Sequence, residues 1–212
     1  MESSATRKRR SRYCTILLDT GLDLYTVQPM PLYRDIKPFV RDAVYHVTVC
    51  WDYLPKWLDS LKERIGKDGR TITYDGLVLC PDFQRGHVWT PKQQVAYVEY
   101  IMRAGASGKT IYLNNPSWGR GYNEPTVVVD GLQRITAVQA FLNGNIKAFG
   151  HVVSEWKGRI EPHCHFDAYV HNLPTRREVL EWYIGLNAGG TPHNPSEIAR
   201  VRELLKAEPP SV

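Results

Sequence analysis

The chain has 212 residues, 42% hydrophobic and 23% charged, and Lys plus Arg exceed Asp plus Glu by five. That length and apolar content suit one domain with a core, or a domain with a small appendage, and no run is long and apolar enough to span a bilayer. Four scattered cysteines without a C-x-x-C pair point to neither a disulfide framework nor a zinc ribbon, and the N-terminus does not resemble a signal peptide, so a cytoplasmic protein with no membrane partner is expected.

The excess charge is local. Arg7, Lys8, Arg9, Arg10 and Arg12 face only Glu2 in the first twelve residues, which leaves the rest of the chain almost neutral. A basic tail of this kind attracts nucleic-acid phosphates and equally fits a solvated, disordered leader. Residues 1–12 are therefore the candidate DNA-binding segment, followed over 13–45 by an extended arm interrupted by Pro29, Pro31 and Pro38.

The run 46–50 reads as a strand. A helix follows, capped by Asp52 and carried by Trp57, Leu58, Leu61 and Ile65, with its stop at Gly66. Short strands are expected over 70–74 and 77–80. Thr90 and Pro91 then open a helix with Val95, Val98, Ile101 and Met102 on its buried side. A strand at 110–113 leads into a Gly- and Pro-rich loop over 114–123.

The β-branched run 126–129 reads as a buried strand, broken by Asp130 and Gly131. Leu132, Ile135, Val138, Phe141 and Leu142 recur at helical spacing up to Gly144. Asp130 thus stands between a strand end and a helix start, where backbone N–H groups and the helix dipole favour an anion. Arg134 falls in the first turn, where a cation needs a negative neighbour, and a phosphate would serve. The same residues fit a structural reading, with Asp130 as helix cap, Gly131 relaxing a turn and Arg134 paired with a carboxylate.

Farther on, a strand is expected over 166–170. Two capping boxes, Thr175 with Glu178 and Asn194 with Glu197, each open a helix. His163, Cys164 and His165 have metal-ligand chemistry, but alternate strand positions face opposite ways. The fold class expected is α+β (mixed α/β), a short mixed sheet with a helical C-terminal end over 46–206.

Two separated segments, P-D-F-Q-R-G-H-V-W-T-P-K at 81–92 and V-V-V-D-G-L-Q-R-I-T-A at 127–137, carry a resemblance. A third, L-N-A-G-G-T at 186–191 with Glu197 and Ile198, follows in the right order. Together they resemble the ParB-like domain family that forms the N-terminal part of GmrSD-type modification-dependent restriction enzymes and of SspE-like phage-defence proteins. One departure is Leu132, where the family's D-G-Q-Q-R motif has its first glutamine.

The resemblance implies a ParB/sulfiredoxin-like domain, here as a single domain without the HNH nuclease, with a nucleoside triphosphate pocket between the two motifs. Arg85 and Arg134 would bind phosphate, with Gln84 and the backbone at Gly131 beside them. Asp130 would hold Mg2+ or orient the attacking water, and Gln133 would assist it. Gln84 and Gln133 equally suit amide bonds that tie the two segments together. The functions implied are a Mg2+-dependent NTPase working with DNA in restriction, anti-restriction or phage DNA metabolism, and alternatively a non-hydrolysing module acting on a nuclease or other protein partner. A ParB-like kinase or nuclease is a third, weaker reading.

Overall fold

The structure, a computed structural model, describes residues 36, 38–65, 71–73, 77–84, 86, 88–120, 124–188 and 195–210. Contacts divide the chain into the units Met1–Pro38 and Phe39–Val212, and every element below belongs to the second. The basic tail and most of the expected arm lie outside the described residues; over 39–44 the backbone is irregular.

Strand β1 (Tyr45–Cys50) leads through a 3-10 turn at Trp51–Tyr53 into helix α1 (Leu54–Lys62). This corrects the expected helix at both ends. Asp52 lies within the turn, so it does not cap α1, and the chain leaves the helix at Lys62. Strand β2 (Glu63–Ile65) instead pairs antiparallel with β3 (Thr71–Thr73). A cross-strand partner decides those three residues over the helical spacing of Leu61 and Ile65.

Strand β4 (Leu77–Val78), helix α2 (Pro91–Met102) and strands β5 (Thr110–Asn114) and β6 (Thr126–Asp130) follow. Thr90 and Gln93 close the capping box of α2, with Pro91 as its first residue. After β6 come helix α3 (Leu132–Leu142), strand β7 (His165–His171), and helices α4 (Arg176–Ala188) and α5 (Pro195–Ala207). Thr175 and Glu178 form the expected box at α4, whereas Asn194 lies outside the described residues.

Five strands form one sheet in the order β1-β7-β5-β6-β4. It is mixed: β1 and β7 run antiparallel, β7 and β5 parallel, β5 and β6 antiparallel, β6 and β4 parallel. The fold is α+β, as the alternation of patterns indicated. Because successive strand residues face opposite ways, the sheet feeds two cores. Ile111, Leu113, Val128, Phe166 and Ala168 join Leu58, Val98, Ile101, Ile135 and Val138 on one face. Val129 joins Phe83, Val179, Leu180, Trp182, Tyr183 and Val201 on the other. Among the described residues no helix is long and apolar enough to cross a membrane.

The connection from β5 to β6 is organised at its base by buried Asn115. Its Nδ2 donates to the Glu124 carbonyl at 3.1 Å and to Thr126 Oγ1 at 3.0 Å, while Oδ1 accepts from Ser117 N and Oγ. A fully partnered amide under a loop holds both strand ends at a fixed separation. It thereby sets where β6 begins.

Candidate functional site

The site begins at the end of β6. Asp130 is the last residue of the strand and lies opposite Tyr112 in the ladder with β5. Gly131 is the N-cap of α3, at φ 117°, and has no side chain to accept from the first N–H groups of the helix. The expectation that Asp130 caps the helix is corrected here, because the turn at Gly131 separates it from α3. Glycine is demanded twice at this position. The positive φ disfavours other residues, and a Cβ would lie 2.5 Å from Ile111 Cγ2 on β5.

Arg134, in the first turn of α3, donates from Nη2 to Asp130 Oδ2 at 2.5 Å. The pair is only partly shielded, with side-chain exposures of 20% for Arg134 and 50% for Asp130. The negative neighbour that a first-turn cation requires is thus supplied by the chain itself. Nearby, burial pushes the Tyr97 phenol well above its ordinary range, against the opposing pull of the Arg134 charge, and its hydroxyl donates to the Gly108 carbonyl at 2.8 Å.

The two motifs meet through their glutamines. Gln84 Nε2 donates to the carbonyls of Val128 and Val129, at 2.5 and 2.8 Å. Gln133 Oε1 accepts from the N–H groups of Val88 and Trp89, at 3.0 and 3.1 Å, and its Nε2 donates to the Gly86 carbonyl at 3.2 Å. With β4 parallel to β6, these bonds tie Gln84, Gly86, Val88 and Trp89 to residues 128–133 across more than forty residues of sequence. Both ends of the Gln133 amide are engaged with backbone. A further role for it at a water or a base has to compete with those bonds.

Arg85 and His87 lie outside the described residues, as do the tail candidates Arg7, Lys8, Arg9, Arg10 and Arg12. Trp89 is half-buried against the core beside Tyr97, with ring centroids 5.4 Å apart. Leu132 is buried at the start of α3, so the departure from the family motif adds apolar packing where a glutamine would bring an amide. At the start of β7, His163 Nε2 lies 3.1 Å from the Met102 carbonyl and His165 Nδ1 2.9 Å from the Pro162 carbonyl, while Cys164 is buried. Each ring is thus placed on a backbone oxygen.

Sequence reasoning missed what stands behind the first motif. Arg176 and Arg200, from α4 and α5, both reach the turn that carries Gln84. Nothing local to either helix signals this, because the partners are 94 and 118 residues away.

A sequence model described as "GmrSD restriction endonuclease, N-terminal domain" matches residues 66–174, just over half of the chain. The chain belongs to this family. The resemblance carried by the two glutamine-bearing motifs therefore holds, and the protein is related to restriction endonucleases. The GmrSD N-terminal domain match contains Gln84, Arg85, Asp130, Gly131, Gln133 and Arg134 and ends before α4. No curated protein and no solved structure matches the chain.

Whether the residues present suit Mg2+ turns on their donors. Among the described residues no group of three or more His, Cys, Asp or Glu could hold a metal ion. Mg2+ is commonly held through one or two carboxylates together with substrate phosphates, keeping several waters. Asp130 offers one such carboxylate, half exposed and shared with Arg134. The site fits the ion as a partner of a bound triphosphate, not as a cage made by the protein.

Proposed function

We propose that this GmrSD N-terminal domain relative binds a nucleoside triphosphate at the start of α3 and hydrolyses it with Mg2+, working with DNA in a restriction or anti-restriction system. The observation that carries the reading is the junction of β6 and α3. A helix start capped by a glycine without a side chain lies beside an arginine that is ion-paired with a half-exposed aspartate.

The phosphates take the place of the Asp130 carboxylate on Arg134, whose guanidinium offers a forked pair of donors. The N–H groups at the start of α3 add dipolar donors. Arg85, the residue after Gln84 in the first motif, supplies a second guanidinium. Asp130, released from Arg134, would hold the ion or orient the water that attacks the terminal phosphorus. The bond to the bridging oxygen breaks, the nucleoside diphosphate leaves, and the protons of the water pass to the released phosphate and to solvent. When bound with the triphosphate, Mg2+ neutralises charge on the phosphate oxygens. Gln84 and Gln133 keep the two motifs in register while this happens.

A second reading has its own observation. Leu132 is apolar and buried, and both ends of the Gln133 amide are bound to backbone, so among the described residues of this motif the Asp130 carboxylate is left to meet a water. This favours a module that binds nucleotide without turnover and acts on a protein partner.

One experiment separates the readings. The four triphosphates are titrated by calorimetry with Mg2+, and phosphate release is measured in parallel. Binding with release supports the NTPase, and binding without release supports the module. If no triphosphate binds, both are wrong. For DNA, deletion of residues 1–12 should weaken non-specific binding and flatten its salt dependence, by roughly one unit of slope for each basic residue that contacts phosphate. Unchanged affinity and slope would remove the tail from the DNA reading.

A further inference from the structure

We infer that Arg176 and Arg200 are positioning residues of the site, holding the 81–84 turn against β6 from two helices that lie outside the family match. The consequence for nucleotide affinity rests on the function proposed above. The consequence for the turn does not.

The turn is compact and is held from both sides. Gln84 N donates to the Pro81 carbonyl at 2.9 Å, and Phe83 is buried edge-on against Tyr183 of α4, with ring centroids 5.3 Å apart. On one side Gln84 binds the β6 carbonyls that precede Asp130. On the other side two guanidinium groups converge. Arg176 places Nη1 and Nη2 on Asp82 Oδ1 and Oδ2, at 2.9 and 2.7 Å, and Nε on Glu208 Oε1 at 2.9 Å. Arg200 places Nη1 and Nη2 on the successive carbonyls of Asp82 and Phe83, at 2.6 and 2.9 Å.

The chemistry is that of positioning. A planar fork fixes the orientation of two carbonyls at once, which an ammonium cannot reproduce. Arg176 is a bidentate partner of Asp82 and holds its carboxyl below the usual range. These groups are also largely exposed, at 40% for Arg176 and 60% for Asp82, so they add little to global stability. Burial of Phe83 supplies the anchoring, and the arginines set direction. Their loss should therefore loosen the turn while leaving the domain folded.

The test uses the full chain as wild type, Arg176→Ala, Arg200→Ala and Arg200→Lys. Amide hydrogen exchange is followed by mass spectrometry, with melting temperature and the KM and kcat of triphosphate hydrolysis alongside. The expected result is about tenfold or faster exchange over 82–86 in Arg200→Ala, with α3 unchanged and a small change in melting temperature. KM should rise several-fold with a smaller change in kcat, and Arg200→Lys should recover part of it. Unchanged exchange over 82–86 overturns the inference, as does a loosened turn with unchanged KM. If Arg200→Ala fails to fold, Arg176→Ala, which removes the other guanidinium from the turn, is read over 82–86 in its place. A wild type that binds no triphosphate defeats the proposed function instead, and the exchange data still decide whether the turn is held.

Discussion

Asp130 and Arg134 form an ion pair across the start of α3, with Oδ2 and Nη2 2.5 Å apart. An arginine in the first turn of a helix opposes the dipole, and the aspartate just before the helix offsets it. The free protein therefore holds its phosphate-binding candidate already neutralised. Any anion entering there has to displace a carboxylate, and that competition can be measured.

Arg134→Ala should abolish triphosphate binding with a change in stability of only about 0.3–0.5 kcal/mol, the usual worth of an exposed pair one turn apart. Asp130→Asn should act in the opposite sense on binding, since it frees Arg134, while phosphate release falls by on the order of a hundredfold. Calorimetry, phosphate release and melting curves on both variants check this. A melting point several degrees lower in Arg134→Ala, with no binding by wild type, would make the pair purely structural.

Gln133→Ala removes three hydrogen bonds that tie α3 to 86–89 and leaves the N–H groups of Val88 and Trp89 without that acceptor. Each bond contributes about 1 kcal/mol net, so a loss of roughly 1–3 kcal/mol is expected, visible as a lower melting temperature. A variant that melts like wild type but hydrolyses more slowly would assign Gln133 to the chemistry.

Gly131→Ala should destabilise strongly. The added Cβ meets Ile111 Cγ2 at 2.5 Å, and φ of 117° is costly for alanine. Backbone strain of this type costs about 1–3 kcal/mol before the clash is counted. Denaturant unfolding is the measurement. Ile111→Ala removes Cγ2, so a double-mutant cycle of Ile111→Ala with Gly131→Ala tests the origin of the effect, and no coupling between the two would trace the loss chiefly to the backbone angle.

Acid should weaken the fold through His171. Its ring is buried beside Trp182, and burial lowers its pKa from the ordinary 6.5, outweighing the opposing effects of the Arg41 backbone and Asp42. The unfolded chain then takes up a proton that the folded chain refuses. The contribution of His171 is full above about pH 6.5 and is lost as the pH falls towards the lowered value. Melting temperatures at pH 7.5 and 5.5 should differ less in His171→Gln than in wild type. Equal differences in the two proteins would remove His171 as the source.

Much of the site is legible locally. The strand ending at Asp130 and the helix starting at Leu132 follow from β-branched residues giving way to a 3.6-residue apolar period, and Thr90 with Pro91 announces α2. Those signals depend on residues within one or two turns of each other. The end of α1 escapes a local reading for the same reason. Glu63–Ile65 takes its conformation from Thr71–Thr73, a partner no helical window contains.

Local pattern alone thus specifies the elements around the site, the motifs they carry and, through those motifs, the family. What the polar side chains do is settled by packing. Three outcomes are open in the sequence: whether Arg134 meets a carboxylate, and whether Gln84 and Gln133 face a ligand or each other's segment. In the structure they are an ion pair across a glycine turn and amide bonds between strands and loops about forty residues apart. The clamp of Arg176 and Arg200 on the 81–84 turn is hidden from the sequence altogether. A surface arginine on an amphipathic helix carries no mark of its partner, because its hydrogen bonds depend on a position in space that only the packing of α4 and α5 on the second core supplies.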